Sequence, residues 1–238
     1  MFDAEISICT GHPTIGCAVY ALGTLAKSNK GKFISNAGPI ELEYANGAAE
    51  ASIPHNFHLH SQYPFTTEEV YTLQPSLIGT LATQDALSLI SPVKGMNFLA
   101  VELPSLDALA LVSTGASPKP QLDDAWNAGF TGSYFWALTS SPTSSGSSAT
   151  NITHIQARMI EGALEDPATG SAACALACHL ALQKGKSREQ RFEICQGVEM
   201  GRKSDIGVRV TLTEALDAVE KVVLSGAAVQ VMEGTVEC

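Results

Sequence analysis

Residues 165–172 read Glu165-Asp166-Pro167-Ala168-Thr169-Gly170-Ser171-Ala172, and residues 11–18 read Gly11-His12-Pro13-Thr14-Ile15-Gly16-Cys17-Ala18. Pro, Gly and Ala coincide at a constant offset of 154, and Ala21-Leu22 keeps register with Ala175-Leu176. Downstream, Phe33 precedes Gly38 by five residues and Phe192 precedes Gly197 by five. No other stretch repeats this way, so the spacing predicts a duplicated unit of loop, helix and strand. In both copies a proton-active residue stands before a proline that opens an apolar helix. Proline suits a first helical turn, where its missing N–H costs nothing. The free N–H groups of that turn attract an anion. Two halves facing each other would oppose His12 and Asp166 across a small carboxylate, suited to removing and returning a proton. Taken singly, Asp166 reads equally as an ordinary helix cap and His12 as a surface or packing histidine. Ser171 reads either as a first-turn residue or as a carboxylate ligand.

Working outward, residues 13–27 place Ile15, Val19, Leu22 and Leu25 at helical spacing, with Gly31 as a stop. Short alternating segments at 32–35, 40–44, 50–53 and 56–60 read as strands between Asn-Gly and Gly-Pro turns. Residues 66–73 and 81–89 read as helical, 97–103 as a strand, and 105–107 as the opening of a short helix. Strands follow at 132–138 and 153–159, then a strong helix at 170–184 ended by Gly185. The last strands are expected at 191–195, 207–212, 221–224 and 227–232. Residues 139–150 hold no large apolar side chain and read as a mobile loop. Many strands among few helices predict an α+β, mixed-sheet architecture.

Composition narrows the function. With 14 Lys plus Arg against 24 Asp plus Glu, the net charge of −10 repels phosphate backbones, so no nucleic-acid partner is expected. No apolar run approaches the ~18 residues that span a bilayer, and the acidic start Met1-Phe2-Asp3-Ala4-Glu5 is not a targeting signal. A cytoplasmic protein with no membrane partner is expected. Six cysteines, none in a Cys-x-x-Cys pair, are too few for a disulfide scaffold. His55, His58 and His60 superficially suggest a metal, but on a strand 58 and 60 share a face while 55 lies opposite. No carboxylate or cysteine is near in sequence, so no metal is expected there. Thr169-Gly170-Ser171-Ala172-Ala173 is not a hydrolase elbow, and Cys17 aligns with Ser171 rather than with a second thiol. No Gly-rich dinucleotide fingerprint follows a strand.

The two repeated motifs, with Gln196-Gly197-Val198-Glu199-Met200-Gly201-Arg202-Lys203-Ser204 and Ser225-Gly226-Ala227-Ala228-Val229, resemble the phenazine biosynthesis PhzF-like family over essentially the whole chain. The resemblance implies a diaminopimelate-epimerase-like fold: two similar domains, each a mixed sheet wrapped around a central helix. Residues 1–95 would form the first half and 96–238 the second, the last strand being free to return to the first. It implies a homodimer needing neither metal nor organic cofactor. It implies an isomerase acting by proton transfer on a small carboxylated metabolite. Asp166 and His12 would be catalytic, and Gly11, Gly170 and Ser171 would bind substrate. Two departures stand out. The family's principal acid/base, a glutamate in a Ser-Glu-Thr segment upstream of the first motif, has no counterpart in a chain that starts ten residues before Gly11. The first half is therefore expected to be shortened at its start and to expose apolar surface, which favours a dimer. The Arg-x-Phe-x-Pro stretch before the second motif is shortened to Arg158-Met159-Ile160-Glu161-Gly162. A relative that has lost catalysis and kept its pocket as a binding or interaction module is the alternative.

Overall fold

A computed structural model describes residues 11–36, 38–81, 83–126, 129–139, 152–184 and 187–234. The helices are α1 (Gly11–Ala18), α2 (Thr67–Leu73), α3 (Leu106–Ala110) and α4 (Gly170–Lys184). The strands are β1 (Lys30–Ser35), β2 (Gly38–Ala45), β3 (Ala48–Ser52), β4 (His58–His60), β5 (Leu87–Val93) and β6 (Met96–Glu102). Then follow β7 (Phe130–Leu138), β8 (Ile152–Glu161), β9 (Leu164–Asp166), β10 (Glu189–Gln196), β11 (Ser204–Leu212) and β12 (Val219–Ala227). They form one sheet in the order β1-β2-β3-β12-β11-β10-β8-β7-β6-β5-β4, with β9 paired to β8. The β6–β7 and β8–β10 pairs are parallel and the others antiparallel, so the expected mixed sheet is present. Asn46 and Gly47, at φ 52° and 81°, supply the left-handed turn that joins β2 to β3.

Helix α4 organises the molecule. Every residue from Ala172 to Ala181 is buried. Five of these are alanines, which lets strands approach closely. The helix touches β5 and β6 on one side and β10, β11 and β12 on the other, so the intervening run of strands curves around it. Its bounds are those expected from sequence. Helix α1 behaves differently. Gly11, Ile15, Ala18 and Leu22 recur at helical spacing and are buried, while Pro13, Cys17, Tyr20 and Leu25 are exposed. It packs by one face only. From Val19 to Ala26 the helix widens into a π-helical segment that ends at Lys27, whose φ is 47°. There Gly23 lies against the ring of Tyr44; a Cβ at this position would stand 2.7 Å from it.

Strands β6 and β7 are buried on both faces. Phe98, Ala100, Tyr134 and Trp136 join the main core with α4, while Leu99, Val101, Phe135 and Ala137 face a second cluster with Val70, Leu77 and Leu109. The boundary expected at residue 95 falls in the turn joining β5 to β6. The main core draws Ile15, Ile40 and Leu42 from before that turn and Leu176, Phe192 and Val210 from beyond it.

Two expected elements are corrected. Residues 81–89 form no helix: one 3₁₀ turn at Gln84–Ala86 leads directly into β5. Leu89, Ile90, Ser91 and Pro92 are all buried, and a strand covered on both sides lacks the alternation that would identify it. Residues 228–234 are not a separate strand; β12 ends at Ala227, between β3 and β11 along its length. Val229, Val231 and Met232 are each more than 80% exposed, at 83%, 85% and 83%. Except for Thr139, the expected mobile loop lies outside the described residues, as does Gly185.

Candidate functional site

The second motif is held from below. Arg158 on β8 is buried and grips Glu165 with two bonds, Nε to Oε1 and Nη2 to Oε2, each 2.8 Å. Its Nη1 donates to the carbonyls of Leu109, in the last turn of α3, at 3.2 Å and of Val112, just past it, at 2.6 Å. Glu199 lies alongside, with Oε1 accepting from Gln156 at 2.8 Å and Oε2 at 3.9 Å from Arg158.

Next to Glu165, the Asp166 carboxylate folds over the helix start. Oδ1 accepts the Ala168 N–H at 3.2 Å and Oδ2 accepts the Thr169 hydroxyl at 2.6 Å. Gln196, fully buried on β10, locks this turn. Its Nε2 donates to the Asp166 carbonyl at 2.7 Å and to Thr169 Oγ1 at 2.9 Å. Its Oε1 accepts from the Thr169 amide at 3.3 Å and the Tyr134 hydroxyl at 3.2 Å. Burial, with the nearby Cys174 and Asp166, pushes the Tyr134 phenol far above its ordinary value, so it remains a donor. Asp166 is thus positioned by β7 and β10 as well as by its own turn.

The two motifs meet at glycine. A Cβ on Gly11 would lie 2.7 Å from Gly170 Cα, and one on Gly170 would lie 2.9 Å from Gly11 Cα and 2.8 Å from Leu224 Cδ2. Backbone touches backbone, and no side chain fits at either position. Gly16, the repeat partner of Gly170, has open space around it instead. Gly170→Ala should therefore destabilise the fold by about 1–3 kcal/mol, because backbone cannot yield as a side chain can. Urea unfolding is the measurement.

Two cavities flank this contact. One of about 620 Å³ is lined by Gly11, Gly170, Ser171 and Cys174, with Phe57 and Phe130 among its apolar walls. The other, about 320 Å³, is lined by His12, Ala168, Gly170, Lys203, Ser204 and Asp205. Gly11, Gly170 and Ser171 are brought together as expected, and His12 stands in the adjoining cavity. Asp166 lines neither, and no hydrogen bond joins it to His12 among the described residues. The repeat equates residues in different local structures: His12 and Pro13 lie within α1, whereas Asp166 closes β9 ahead of α4. His55 also lines the larger cavity, and burial holds its imidazole below the ordinary value.

Elsewhere, a larger groove of about 710 Å³ runs over the sheet, but its charges are already paired: Lys30 with Glu43, His154 with Glu193, and Glu50 with Arg209. His58 and His60 meet Asp123, a partner that nothing in the local sequence marked. A Ser91–His60–Asp123 series superficially resembles a hydrolytic triad. Ser91 is wholly buried and donates to Asn97, and His60 Nδ1 accepts the Asp123 amide, so no nucleophile is presented.

A mixed sheet curled around one buried helix, with a second helix touching it glycine to glycine beside two cavities, defines an α+β protein of the diaminopimelate-epimerase-like fold. The model of the phenazine biosynthesis-like protein family, PhzC-PhzF, matches residues 3–234, and the chain belongs to that family. It is 29% identical over 233 residues to the trans-2,3-dihydro-3-hydroxyanthranilate isomerase of Pseudomonas aeruginosa, covering 92% of this chain and 74% of that protein. The PhzF-family phenazine biosynthesis protein of Bacillus anthracis superposes with a TM-score of 0.57 at 14% identity, over 91% of this chain and 72% of that one. For the Enterococcus faecalis PhzF-family protein the TM-score is 0.53 at 17% identity, over 92% and 69%. These structural likenesses establish the fold. No described helix is long and apolar enough to cross a membrane.

Proposed function

We propose that the chain is a cofactor-independent isomerase that moves a proton within a small carboxylated metabolite. The observation that carries this reading is the Gly11–Gly170 contact, where the start of α4 opens on a cavity of about 620 Å³. That volume lies in the range of small-molecule sites. Gly170 and Ser171 would hold the substrate carboxylate on the free N–H groups of the first turn. The Ser171 hydroxyl has no protein hydrogen-bond partner among the described residues and is available to it. Gly11 brings the first motif close enough to share the ligand. Asp166 would take the proton from one carbon and His12 would help return one to another, leaving composition unchanged. The isomerase activity printed for the Pseudomonas aeruginosa relative supports the reaction class.

In this reading residues 1–95 and 96–238 act as two halves, and the protein works in the cytoplasm, where its free thiols persist. A homodimer is part of it: Tyr20 and Leu25 on the π-helical segment after α1 and Ile34 on edge strand β1 are 42%, 66% and 82% exposed. One observation favours the alternative, a binding module without catalysis: the Asp166 carboxylate is tied into its own turn and lines neither cavity. Incubation with trans-2,3-dihydro-3-hydroxyanthranilate in deuterium oxide separates the two. Carbon-bound deuterium in recovered compound is expected. Binding by calorimetry without incorporation would establish the module instead.

A further inference from the structure

We propose that His58, His60 and Asp123 form a binding site for one divalent transition-metal ion of the zinc class, tying the 113–126 connection to edge strand β4. One ligand atom from each lies within 4.8 Å of the other two. None of the three lines either cavity beside the glycine contact, so the site is separate from the proposed reaction centre.

Residues 58 and 60 share a strand face, which brings both imidazoles to one side. The carboxylate is preset by backbone: Asp123 accepts N–H bonds from Ser61 at 3.1 Å and Gln62 at 2.9 Å. His60 is oriented in the manner of a metal ligand. Ser91 spends its hydroxyl proton on Asn97 at 2.8 Å, so His60 Nε2, 2.9 Å from Ser91 Oγ, must be the donor. That fixes the tautomer and leaves the Nδ1 lone pair facing Asp123. Trp126 stacks on the His58 ring at 4.4 Å and 15°, holding it in place.

Distances suit one ion. An imidazole bound at about 2.0–2.1 Å puts its ring centre roughly 3.2 Å from the metal, so two rings on one ion sit about 4.5–5.2 Å apart. The His58 and His60 centres are 4.7 Å apart. Neighbouring ligand atoms on such an ion stand about 3.0–3.4 Å apart. Asp123 offers Oδ2 at 2.9 Å from His58 Nε2 and Oδ1 at 3.8 Å from His60 Nδ1, one oxygen toward each imidazole, so binding one ion requires the three side chains to close by a fraction of an ångström to about 1 Å. Two imidazoles and one carboxylate favour zinc, cobalt or nickel over magnesium or calcium. His58 is one-third exposed, with 32% of its side chain accessible, leaving a route in and a fourth position for water.

Without metal, the same atoms hydrogen-bond: His58 Nε2 with Asp123 Oδ2 at 2.9 Å, and the Asp123 amide with His60 Nδ1 at 3.2 Å. Coordination replaces both contacts and requires the neutral His58 ring to carry its proton on Nδ1 instead of Nε2, so that the Nε2 lone pair is free for the ion. A purely hydrogen-bonded clamp would have no use for the ion, which makes the test decisive.

Full-length protein stripped with chelator would be titrated with zinc chloride by calorimetry, with cobalt(II) absorption as the spectroscopic readout. One ion per chain is expected. At a free zinc concentration 100-fold above Kd, the melting temperature should rise by roughly 5–10 °C. His58→Ala, at a partly exposed position, should weaken affinity by more than about 10-fold, since even outer-shell losses cost 10–100-fold. Asp123→Asn, which keeps an oxygen for Ser61 and Gln62, should do the same. No saturable zinc binding, or binding unchanged in both variants, would overturn the site. Neither readout depends on isomerase activity, so its failure is distinct from failure of the proposed function.

Discussion

Asparagine at position 166 should lower solvent-deuterium exchange by about 10²–10⁴-fold, the loss expected when a positioned acid/base is removed. The substitution is nearly isosteric. Its side-chain oxygen can still accept the Ala168 N–H, and the Gln196 bond to the backbone carbonyl is untouched. The turn should therefore survive while the exchangeable carboxylate is lost, because an amide does not trade protons near neutral pH. Measured with trans-2,3-dihydro-3-hydroxyanthranilate by mass spectrometry, the effect should fall on kcat and kcat/KM together. Exchange undiminished by the change would exclude Asp166 as the proton carrier and turn attention to His55, which lines the cavity of about 620 Å³ that Asp166 does not line.

Arg158→Ala should destabilise the protein by about 3–5 kcal/mol, as expected for breaking a buried ion pair from one side. Arg158 and Glu165 side chains are only 8% and 11% exposed, so solvent screens the pair little. Removing the guanidinium strands Glu165, leaves Glu199 without its nearest cation, and frees the Leu109 and Val112 carbonyls. Lysine should recover only part of the loss, since it cannot reproduce the bidentate grip. Urea unfolding of wild type, Arg158→Ala, Arg158→Lys and the Arg158→Ala/Glu165→Ala pair gives the coupling. A loss below about 1 kcal/mol would mean that the pair is no stronger than an exposed one.

The parts of this fold that were legible in sequence are those whose periodicity survives in packing. Helix α4 was readable because its apolar run is long, opens after Pro167 and has no break. Asn46-Gly47 announced its hairpin through backbone chemistry alone. Residues 81–89 read as a helix because β5 is covered on both faces, which erases the alternation that separates strand from helix. The apolar alternation of residues 228–232 meant nothing without a strand to pair with. At the site, the family resemblance implied Gly11, Gly170 and Ser171, which lie together. The repeat implied that His12 and Asp166 were equivalent, and they are not: one lies in a helix and the other ends a strand. Gln196 was visible only as part of a motif; that it secures the Asp166 turn depends on β10 lying beside α4's start. Asp123 was invisible as a partner of His58 and His60 because sequence separations of 65 and 63 carry no local signal.

The β3–β12 pairing sets a clock for folding. Ser52 meets Val223 and Ala48 meets Ala227, so the sheet cannot join its first three strands to the rest until nearly all the described chain has left the ribosome. Until then β1–β3 is a small hairpin stack with both edges bare and little to pack against. The α4 core, whose wrapping strands include β12, is also incomplete. Contacts this distant are slow to form and leave strand edges open to wrong partners meanwhile. Release from the ribosome short of residue 219 would yield an aggregation-prone chain, whereas losses beyond Ala227 would leave the closing strand intact.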